Sequence, residues 1–247
     1  LILSFYRAAN LLYHQSVKGL QPQWVQHYMD AGKPERVIDF GRMNRIKSQL
    51  PLVMRPDHLG DVLFSLPALH ALREHLPEAQ FDFLVGPGAL PLLSADPKKP
   101  LGLEPLVFSC PWLKRPKRER VSPRGILSLA RLLRRRAREI GGPYDLAIDL
   151  RGDFQLILAA HLAGARYLVG RGITGLGFWL DREGEEVDGR HQVEGNLGLV
   201  EAAGFGSQRT ENPKLWLSEE EIEAGRSVLR SNGVAASDVL IGVHPGA

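Results

Sequence analysis

The chain has 247 residues, of which 44% are hydrophobic and 24% charged, and its formal net charge is +3. These proportions are typical of a folded globular protein and exclude the disordered, collagen-like and disulfide-rich classes. A single cysteine, Cys110, excludes an internal disulfide and indicates a reducing, cytoplasmic compartment. No run reaches the roughly 18 to 20 consecutive apolar residues that a membrane span needs.

Residues 1–46 precede the first predicted strand and are predicted to form a helical extension. The segment lacks the charged start and cleavage site of a secretory signal, and the opening on Leu1 indicates that the chain begins inside a longer one. Polar and apolar side chains fall on opposite sides of a helix between Leu1 and Lys18. This amphipathic helix is predicted either to pack on the main domain or to rest on anionic lipid.

Apolar strand-like runs alternate with helical runs over residues 47–212. The predicted strands are LPLVMR at 50–55, QFDFLVG at 80–86, LVF at 106–108, YDLAIDL at 144–150 and ARYLVG at 165–170. The predicted helices run through Ala68 to His75, along the arginine-rich stretch before 140, through FQLILAAHLAG at 154–164, and from about Val193 to Ala203. Strands separated by helices of this length predict an α/β fold with a parallel sheet covered by helices on both faces.

Two short motifs in this region resemble known binding sites, but their surroundings in the sequence favour ordinary loops. Residues 170–175 read GRGITG, like a dinucleotide-binding loop, but further glycines interrupt the long helix that such a site requires. The tripeptide at 151–153 is predicted to be a strand-to-helix loop at the carboxyl edge of the sheet. The eight histidines lack metal-ligand spacing and there is no D-x-D pair, so no metal is predicted.

Positive charge is concentrated between Lys114 and Arg138, where eleven Lys and Arg residues stand against one Glu. Apolar residues recur at helical spacing in the second half of this stretch, which predicts a helix with its arginines mostly on the other side. A solvated surface is one interpretation. The other is a field that attracts phosphates or carboxylates, because few acidic partners offset the repulsion. Nucleic acid is the weaker candidate, since Trp112 is almost the only aromatic residue nearby for base stacking.

Residues 213–247 are predicted to be a linker and the beginning of a second, truncated domain. The segment after KLWL predicts a helix with Ser218 at the N-cap and Glu221 completing a capping box. The final residues, VLIGVHPGA, predict a buried strand that contains Ile241 and Val243. A loop of the kind that precedes a helix N-terminus follows this strand.

The segment VMRPDHLGDVLFSLP, residues 53–67, passes from a predicted strand through a polar loop into a predicted helix. It places Asp61 beside Gly60, beyond the carboxyl end of the strand, where ligands bind in open α/β sheets. Asp61 is a helix cap in one interpretation, because Asp is favoured at helix starts. It is a general base in the other, because a carboxylate can take the proton of an attacking hydroxyl group. The residues alone leave both open.

The segment RPDHLGDVLFSLPALHALREHLPEAQFDFLVG resembles the N-terminal signature of the glycosyltransferase family 9 heptosyltransferases, which transfer a heptose from ADP-heptose to the growing lipopolysaccharide core. The likeness rests on the spacing of Arg55, Gly60, Asp61 and Pro67. YDLAIDLRG, HQVEGNLGLVEAAGF and VLIGVHPGA resemble later parts of the family. In all, the resemblance covers roughly residues 50–247.

The resemblance implies a GT-B architecture, in which two Rossmann-like halves enclose the active site and residues 47–212 form the acceptor-side half. It implies that Asp61 is the catalytic base of a metal-independent inverting transfer of heptose from ADP-heptose to a lipopolysaccharide-core-like acceptor. No cofactor is expected besides this nucleotide-sugar co-substrate. Four residues are predicted on the donor-phosphate side: Gly60, His244, Pro245 and Gly246. Without the rest of the second half, the chain is expected to be inactive.

Acceptor binding is assigned by the same resemblance to Arg55, Arg151, Arg118 and Arg120, with simple solvation of these side chains as the alternative. The predicted acceptor is an anionic glycolipid, and the predicted location is cytoplasmic with peripheral contact to the inner membrane. No nucleic acid partner is expected. The competing function is a basic, non-catalytic binding module for anionic lipid or nucleic acid that retains the fold.

Overall fold

The computed structural model describes residues 50–94, 103–113, 121–184, 189, 191–206 and 217–243. The predicted extension at 1–46 lies outside these ranges, and so do Arg118, Arg120 and residues 244–247. What was predicted for those residues remains a prediction.

Six parallel strands form one sheet in the order β3-β2-β1-β4-β5-β6. They are β1 (Pro51–Arg55), β2 (Phe81–Val85), β3 (Leu103–Val107), β4 (Leu146–Asp149), β5 (Leu168–Gly170) and β6 (Arg182–Glu183). The predicted parallel α/β sheet is confirmed. The chain winds outward from β1 to β3 and then resumes on the other side of β1, so β1 and β4 are the neighbours at which the winding direction reverses.

Helices cover both faces of the sheet, as predicted. They are α1 (Leu59–Leu63), α2 (Leu66–His75), α3 (Leu90–Ser94), α4 (Pro123–Glu139), α5 (Phe154–Ala163), α6 (Gln192–Ala202) and α7 (Glu219–Ser231). Short 3₁₀ turns lie at Pro87–Ala89, Pro111–Leu113 and Gly177–Trp179. Within the described ranges, every helix is too short or too polar to span a bilayer.

Two hydrophobic cores hold the sheet between its helical layers. On β1, Val53 points into the core shared with α1, α2 and α6, whereas Leu52 and Met54 point into the core shared with α4 and α5. All three side chains are almost completely buried. Burial of such a side chain stabilises the fold by about 1.5–3 kcal/mol, so the position of β1 in the sheet is tightly specified. The loop that follows Arg55 therefore begins at a strand that is packed firmly on both faces.

Two helices follow β1, and the predicted helix through Ala68 to His75 lies within the second of them. Helix α1 ends at Leu63, and α2 begins at Leu66 with Pro67 in its first turn. Because proline has no backbone N–H to donate, the ladder of helical hydrogen bonds is interrupted there. Between the helices, the Ser65 hydroxyl donates to the backbone carbonyl of Asp61 at 2.9 Å. The break leaves α1 as a short helix directly after the β1 loop.

The prediction of a buried strand near the C-terminus is wrong for the described residues. Ile241 and Val243 are 82% and 83% exposed and belong to no strand. A strand needs a neighbouring backbone for its hydrogen bonds, and the described part of the chain supplies none at this point. The helix before it is confirmed, because Ser218 and Glu221 form the predicted capping box at the start of α7.

Candidate functional site

The loops that follow β1 and β4 meet at the carboxyl edge of the sheet. The first loop carries Asp57 and leads into α1, and the second carries Arg151 and leads into α5. Because β1 and β4 are paired, the two loops lie side by side at the point where the winding of the sheet reverses. This is the position at which open α/β sheets bind their ligands.

The buried side chain of Arg55 connects the two loops. Its Nη2 donates to Asp61 Oδ1 at 2.9 Å, and its Nε lies 3.0 Å from Asp57 Oδ2. Its Nη1 donates to the backbone carbonyl of Leu150, the residue that follows β4. Through the hydrogen bonds of Nη1 and Nη2 and the ion-pair contact of Nε, Arg55 fixes the loop after β1 against the neighbouring strand. Its predicted contact with an acceptor remains a prediction.

Asp57 lies between two guanidinium groups. Its side chain is 2% exposed and contacts Arg55 through Oδ2 and Arg151 Nη1 through Oδ1. Arg151 also reaches Asp153, with 3.3 Å between Nε and Oδ2. Burial lowers the pKa of the Arg151 guanidinium, and the nearby Asp153 carboxylate opposes that effect. The sequence interpretation had not assigned a role to Asp57, although this residue follows Arg55 by only two positions.

Asp61 lies in the first turn of α1 rather than at the N-cap. The N-cap residue is His58, whose side chain makes no capping hydrogen bond. The Asp61 side chain is 34% exposed, and its Oδ2 lies 3.9 Å from His58 Nδ1. One carboxylate oxygen is thus bound by Arg55, while the other stays outside that ion pair. The N-cap alternative for Asp61 does not match this position.

The position beside Asp61 is open. A Cβ atom added to Gly60 would meet no atom within 4 Å among the described residues. The space beside the Gly60 backbone is therefore open, and the role predicted for Gly60 on the donor-phosphate side remains a prediction. Gly86, in the loop after β2, differs because a Cβ there would lie 3.3 Å from the carbonyl oxygen of Pro56. The β2 loop thus packs closely against the loop that carries Asp57.

The buried carboxylate of Asp149 organises the loop after β4. Its Oδ1 accepts from the backbone N–H of Arg151, and its Oδ2 accepts from that of Asp153, both at 2.9 Å. Asp153 is in turn the N-cap of α5 and accepts from the Gln155 N–H. Gly152 adopts a φ of +80°, which side-chain-bearing residues rarely adopt. The prediction of a strand-to-helix loop at 151–153 is confirmed.

The residues on both sides of the basic segment 114–120 are attached to the start of α5. Trp112 Nε1 donates to Asp153 Oδ2 at 2.9 Å, and the Ser122 N–H donates to Gln155 Oε1 at 2.8 Å. The segment itself lies outside the described residues. Its two described flanks are therefore fixed beside the loop that carries Arg151.

Burial raises the pKa of Asp149 to about 7, although the N–H groups of Arg151 and Asp153 favour its charged form. An acid with a higher pKa in the folded than in the unfolded state binds more protons when folded, so its contribution makes stability fall as pH rises from about 4 to about 7. We expect Asp149→Asn to remove this contribution, which amounts to roughly 2–4 kcal/mol. Chemical denaturation at several pH values measures it. Asp145→Asn, at the other edge of the sheet, is expected to keep the wild-type pH dependence, and an unchanged dependence in Asp149→Asn would contradict the prediction.

Three side chains at the site offer ligand atoms that a metal ion needs. Ligand atoms of Asp57, His58 and Asp61 lie within 4.8 Å of one another. Both carboxylates already contact guanidinium groups, those of Arg55 and Arg151. A metal cation would be repelled by these neighbouring positive charges. The carboxylates therefore fit their role as ion-pair partners of arginine better than a role as metal ligands.

The GRGITG segment forms a folded-back loop. Gly170 ends β5, and the 3₁₀ turn at Gly177–Trp179 follows where a dinucleotide site would have a long helix. A Cβ atom on Gly172 would lie 2.8 Å from the Cα of Gly177 and 2.7 Å from Glu183 Oε1. The glycine at 172 is therefore explained by the close packing of the loop on itself.

No protein-family profile and no curated protein matches the chain. It is similar to the solved structure of a glycosyltransferase family 9 protein from Veillonella parvula DSM 2008, with a TM-score of 0.55 and 18% identity over 77% of this chain and 51% of that one. The ADP-heptose LPS heptosyltransferase II of E. coli gives a TM-score of 0.53 and 21% identity over 76% and 52%. The fold is that of family 9 glycosyltransferases.

The family 9 fold confirms the Rossmann-like architecture that the sequence resemblance implied. The chain spans about half the length of the family 9 structures that it matches. At identities of 18% and 21%, the similarity establishes the fold alone. The chemistry predicted for Asp61 and Arg151 therefore rests on the geometry of the site.

Proposed function

We propose that the chain is the acceptor-side half of a GT-B glycosyltransferase that transfers heptose from ADP-heptose to a lipopolysaccharide-core-like acceptor. One observation carries the proposal: Asp61 is a partly exposed carboxylate that a buried arginine holds at the switch point of the sheet. The similarity of fold to a heptosyltransferase supports the choice of donor and acceptor.

In this proposal, Asp61 acts as the general base. The acceptor hydroxyl oxygen attacks the anomeric carbon, its proton passes to the carboxylate, and the bond between the anomeric carbon and the diphosphate oxygen breaks with inversion. Arg55 holds Oδ1 of Asp61, which leaves Oδ2 to receive the proton. Because the reacting hydroxyl must lie within hydrogen-bond distance of the base, this fixed orientation contributes directly to catalysis.

The leaving nucleoside diphosphate gains negative charge, which the protein must stabilise. We assign the donor-phosphate side to Gly60, His244, Pro245 and Gly246, where the backbone N–H groups of the three residues other than proline would meet the phosphates. The open space at Gly60 supports this assignment. Metal independence belongs to the same proposal, and the guanidinium groups that already contact Asp57 and Asp61 support it.

We assign the charged groups of the acceptor to arginines at the edge of the site. The Arg151 side chain is 23% exposed in the loop beside Asp61, so it can contact a phosphate or carboxylate from solvent. Arg118 and Arg120 complete the assignment. The attachment of the flanking Trp112 to the start of α5 supports their placement in this proposal.

The location proposed for the protein is the cytoplasmic side of the inner membrane, with peripheral contact. A membrane glycolipid acceptor requires the enzyme to work at a lipid surface. The single cysteine of the chain is in keeping with a reducing compartment. Burial raises the pKa of the Cys110 thiol to about 12, so this thiol is not a reactive group.

The direct test incubates full-length protein with a panel of nucleotide sugars and a core-type acceptor, and measures the released nucleoside diphosphate. We expect ADP release that requires both ADP-heptose and the acceptor and that continues in the presence of a metal chelator. If a different nucleotide sugar supports release of its nucleoside diphosphate, that sugar is the donor in place of ADP-heptose. If no sugar nucleotide supports release, the transferase proposal is wrong.

A further inference from the structure

One exposed stripe of α4 is strongly cationic. Its buried side packs in the core beneath the sheet through Ile126, Leu129, Leu133 and Ala137. This packing fixes the opposite side toward solvent, where the exposed residues recur at helical spacing: Arg124, Leu127, Arg131, Arg134, Arg135 and Arg138. The orientation of the stripe therefore follows from the core and does not depend on the arginines themselves.

Little negative charge opposes this stripe. Arg136 faces away from it and forms an ion pair with the buried Asp82 at 3.0 Å. The one acidic residue of α4 is Glu139, whose exposed carboxylate lies 3.5 Å from Arg135 Nε. Like charges one helical turn apart destabilise a helix, so a negatively charged surface would relieve the repulsion along α4.

Two large aromatic residues lie beside α5, the helix that packs against α4. Phe178 and Trp179, in the turn after β5, are 43% and 36% exposed. The Trp179 ring stacks on His161 with 4.8 Å between centroids. The residue after His161 is Leu162, whose backbone carbonyl accepts from Arg134 Nη2. The last turn of α5 therefore contacts both Trp179 and Arg134 of α4.

Lipid fits this surface better than nucleic acid does. One face of Trp179 is covered by His161, whereas binding of single-stranded nucleic acid relies on free aromatic faces for the bases. Leu127 is 46% exposed within the stripe and offers apolar contact that a phosphate backbone does not use. A lipid headgroup region accepts cationic, aromatic and apolar side chains together.

We propose that this surface, the arginine stripe of α4 together with Phe178 and Trp179, binds an anionic lipid bilayer. The arginines would meet the headgroup phosphates, and the two aromatic rings would lie at the boundary with the acyl chains. The membrane-binding proposal rests on the proposed function for its biological setting. It assigns the peripheral membrane contact to a defined surface of the chain. Vesicle binding needs neither donor nor acceptor, so it is measured independently of sugar transfer.

The test uses full-length protein and sedimentation with phosphatidylcholine vesicles, with and without phosphatidylglycerol. We expect binding to the anionic vesicles that decreases with salt. The double variant Arg131→Glu, Arg138→Glu should weaken this binding by roughly tenfold or more, because each basic residue near an anionic surface contributes to attraction. Phe178→Ser should weaken binding without any change in charge.

The matched control reverses two exposed charges on another helix, Arg226→Glu with Arg230→Glu in α7, and should retain vesicle binding. Circular dichroism checks that all variants are folded. Equal binding by wild type and the α4 variant, or equal binding to both kinds of vesicle, would overturn the proposal. So would binding to oligonucleotides in place of vesicles. Protein that binds anionic vesicles but transfers no sugar would contradict the proposed function alone.

Discussion

Asp61→Asn is expected to lower sugar transfer by roughly 10²–10⁴-fold, because asparagine cannot take the proton of the attacking hydroxyl group. Its amide oxygen can still accept the hydrogen bond from Arg55 Nη2, so the α1 loop should keep its geometry. The ion pair is partly exposed, and its loss should reduce stability by about 1 kcal/mol or less. Turnover and thermal unfolding of the full-length variant measure both effects.

A matched control for this variant is Asp145→Asn. Asp145 also pairs with an arginine, with 2.7 Å between its Oδ1 and Arg166 Nη1, but it precedes β4 and lies at the opposite edge of the sheet. We expect this control to keep both activity and melting temperature. Normal turnover in Asp61→Asn would remove Asp61 from the reaction. A loss of activity that accompanies unfolding would give the residue a structural role instead.

The parallel sheet was predictable because strands covered on both faces appear as continuous apolar runs. The run at 52–54, Leu-Val-Met, is such a case, and both faces of β1 are buried. Strand β6 was not predicted, because its two residues, Arg182 and Glu183, are too few and too polar to show a pattern. The start of β3 was placed too late, since Pro105 interrupts its apolar run.

The individual residues of the site could be predicted from the sequence, but the contacts between them could not. Arg55 is the last residue of one predicted strand and Arg151 follows the end of another, and parallel strands bring such residues to one edge of the sheet. That β1 and β4 are direct neighbours is a property of strand order, which local sequence does not specify. The position of Asp57 between two guanidinium groups depends on that order, and so no role for it was predicted.

The exposed residues after α7 show the same difference between what a local pattern predicts and what strand pairing decides. Alternating apolar residues such as Ile241 and Val243 predict an element that can be buried. Whether it is buried depends on other segments that cover it and pair with its backbone. In the described part of the chain those segments are absent, and both side chains remain exposed. Local pattern thus predicts the capacity for a strand, while pairing partners decide its formation.

Asp57→Asn is expected to destabilise the whole fold. The change removes the carboxylate that lies between Arg55 and Arg151 and leaves two guanidinium groups close together in a buried place. Breaking a buried ion pair in this way costs roughly 3–5 kcal/mol. For a chain of this size, each kcal/mol lowers the melting temperature by about 2–4 °C, so we expect a decrease of roughly 10 °C in thermal unfolding.

A double-mutant cycle separates this repulsion from a loss of packing. Adding Arg151→Gln to Asp57→Asn removes one of the two positive charges, so the second change should restore stability and give a coupling energy of roughly 0.5–3 kcal/mol. The exposed pair of Asp145 and Arg166 is the control and should give less than about 1 kcal/mol. Additive effects at Asp57 and Arg151 would mean that the two side chains act independently. Asp57 would then have no part in holding the two loops, and the fixed geometry of the site would rest on Arg55 alone.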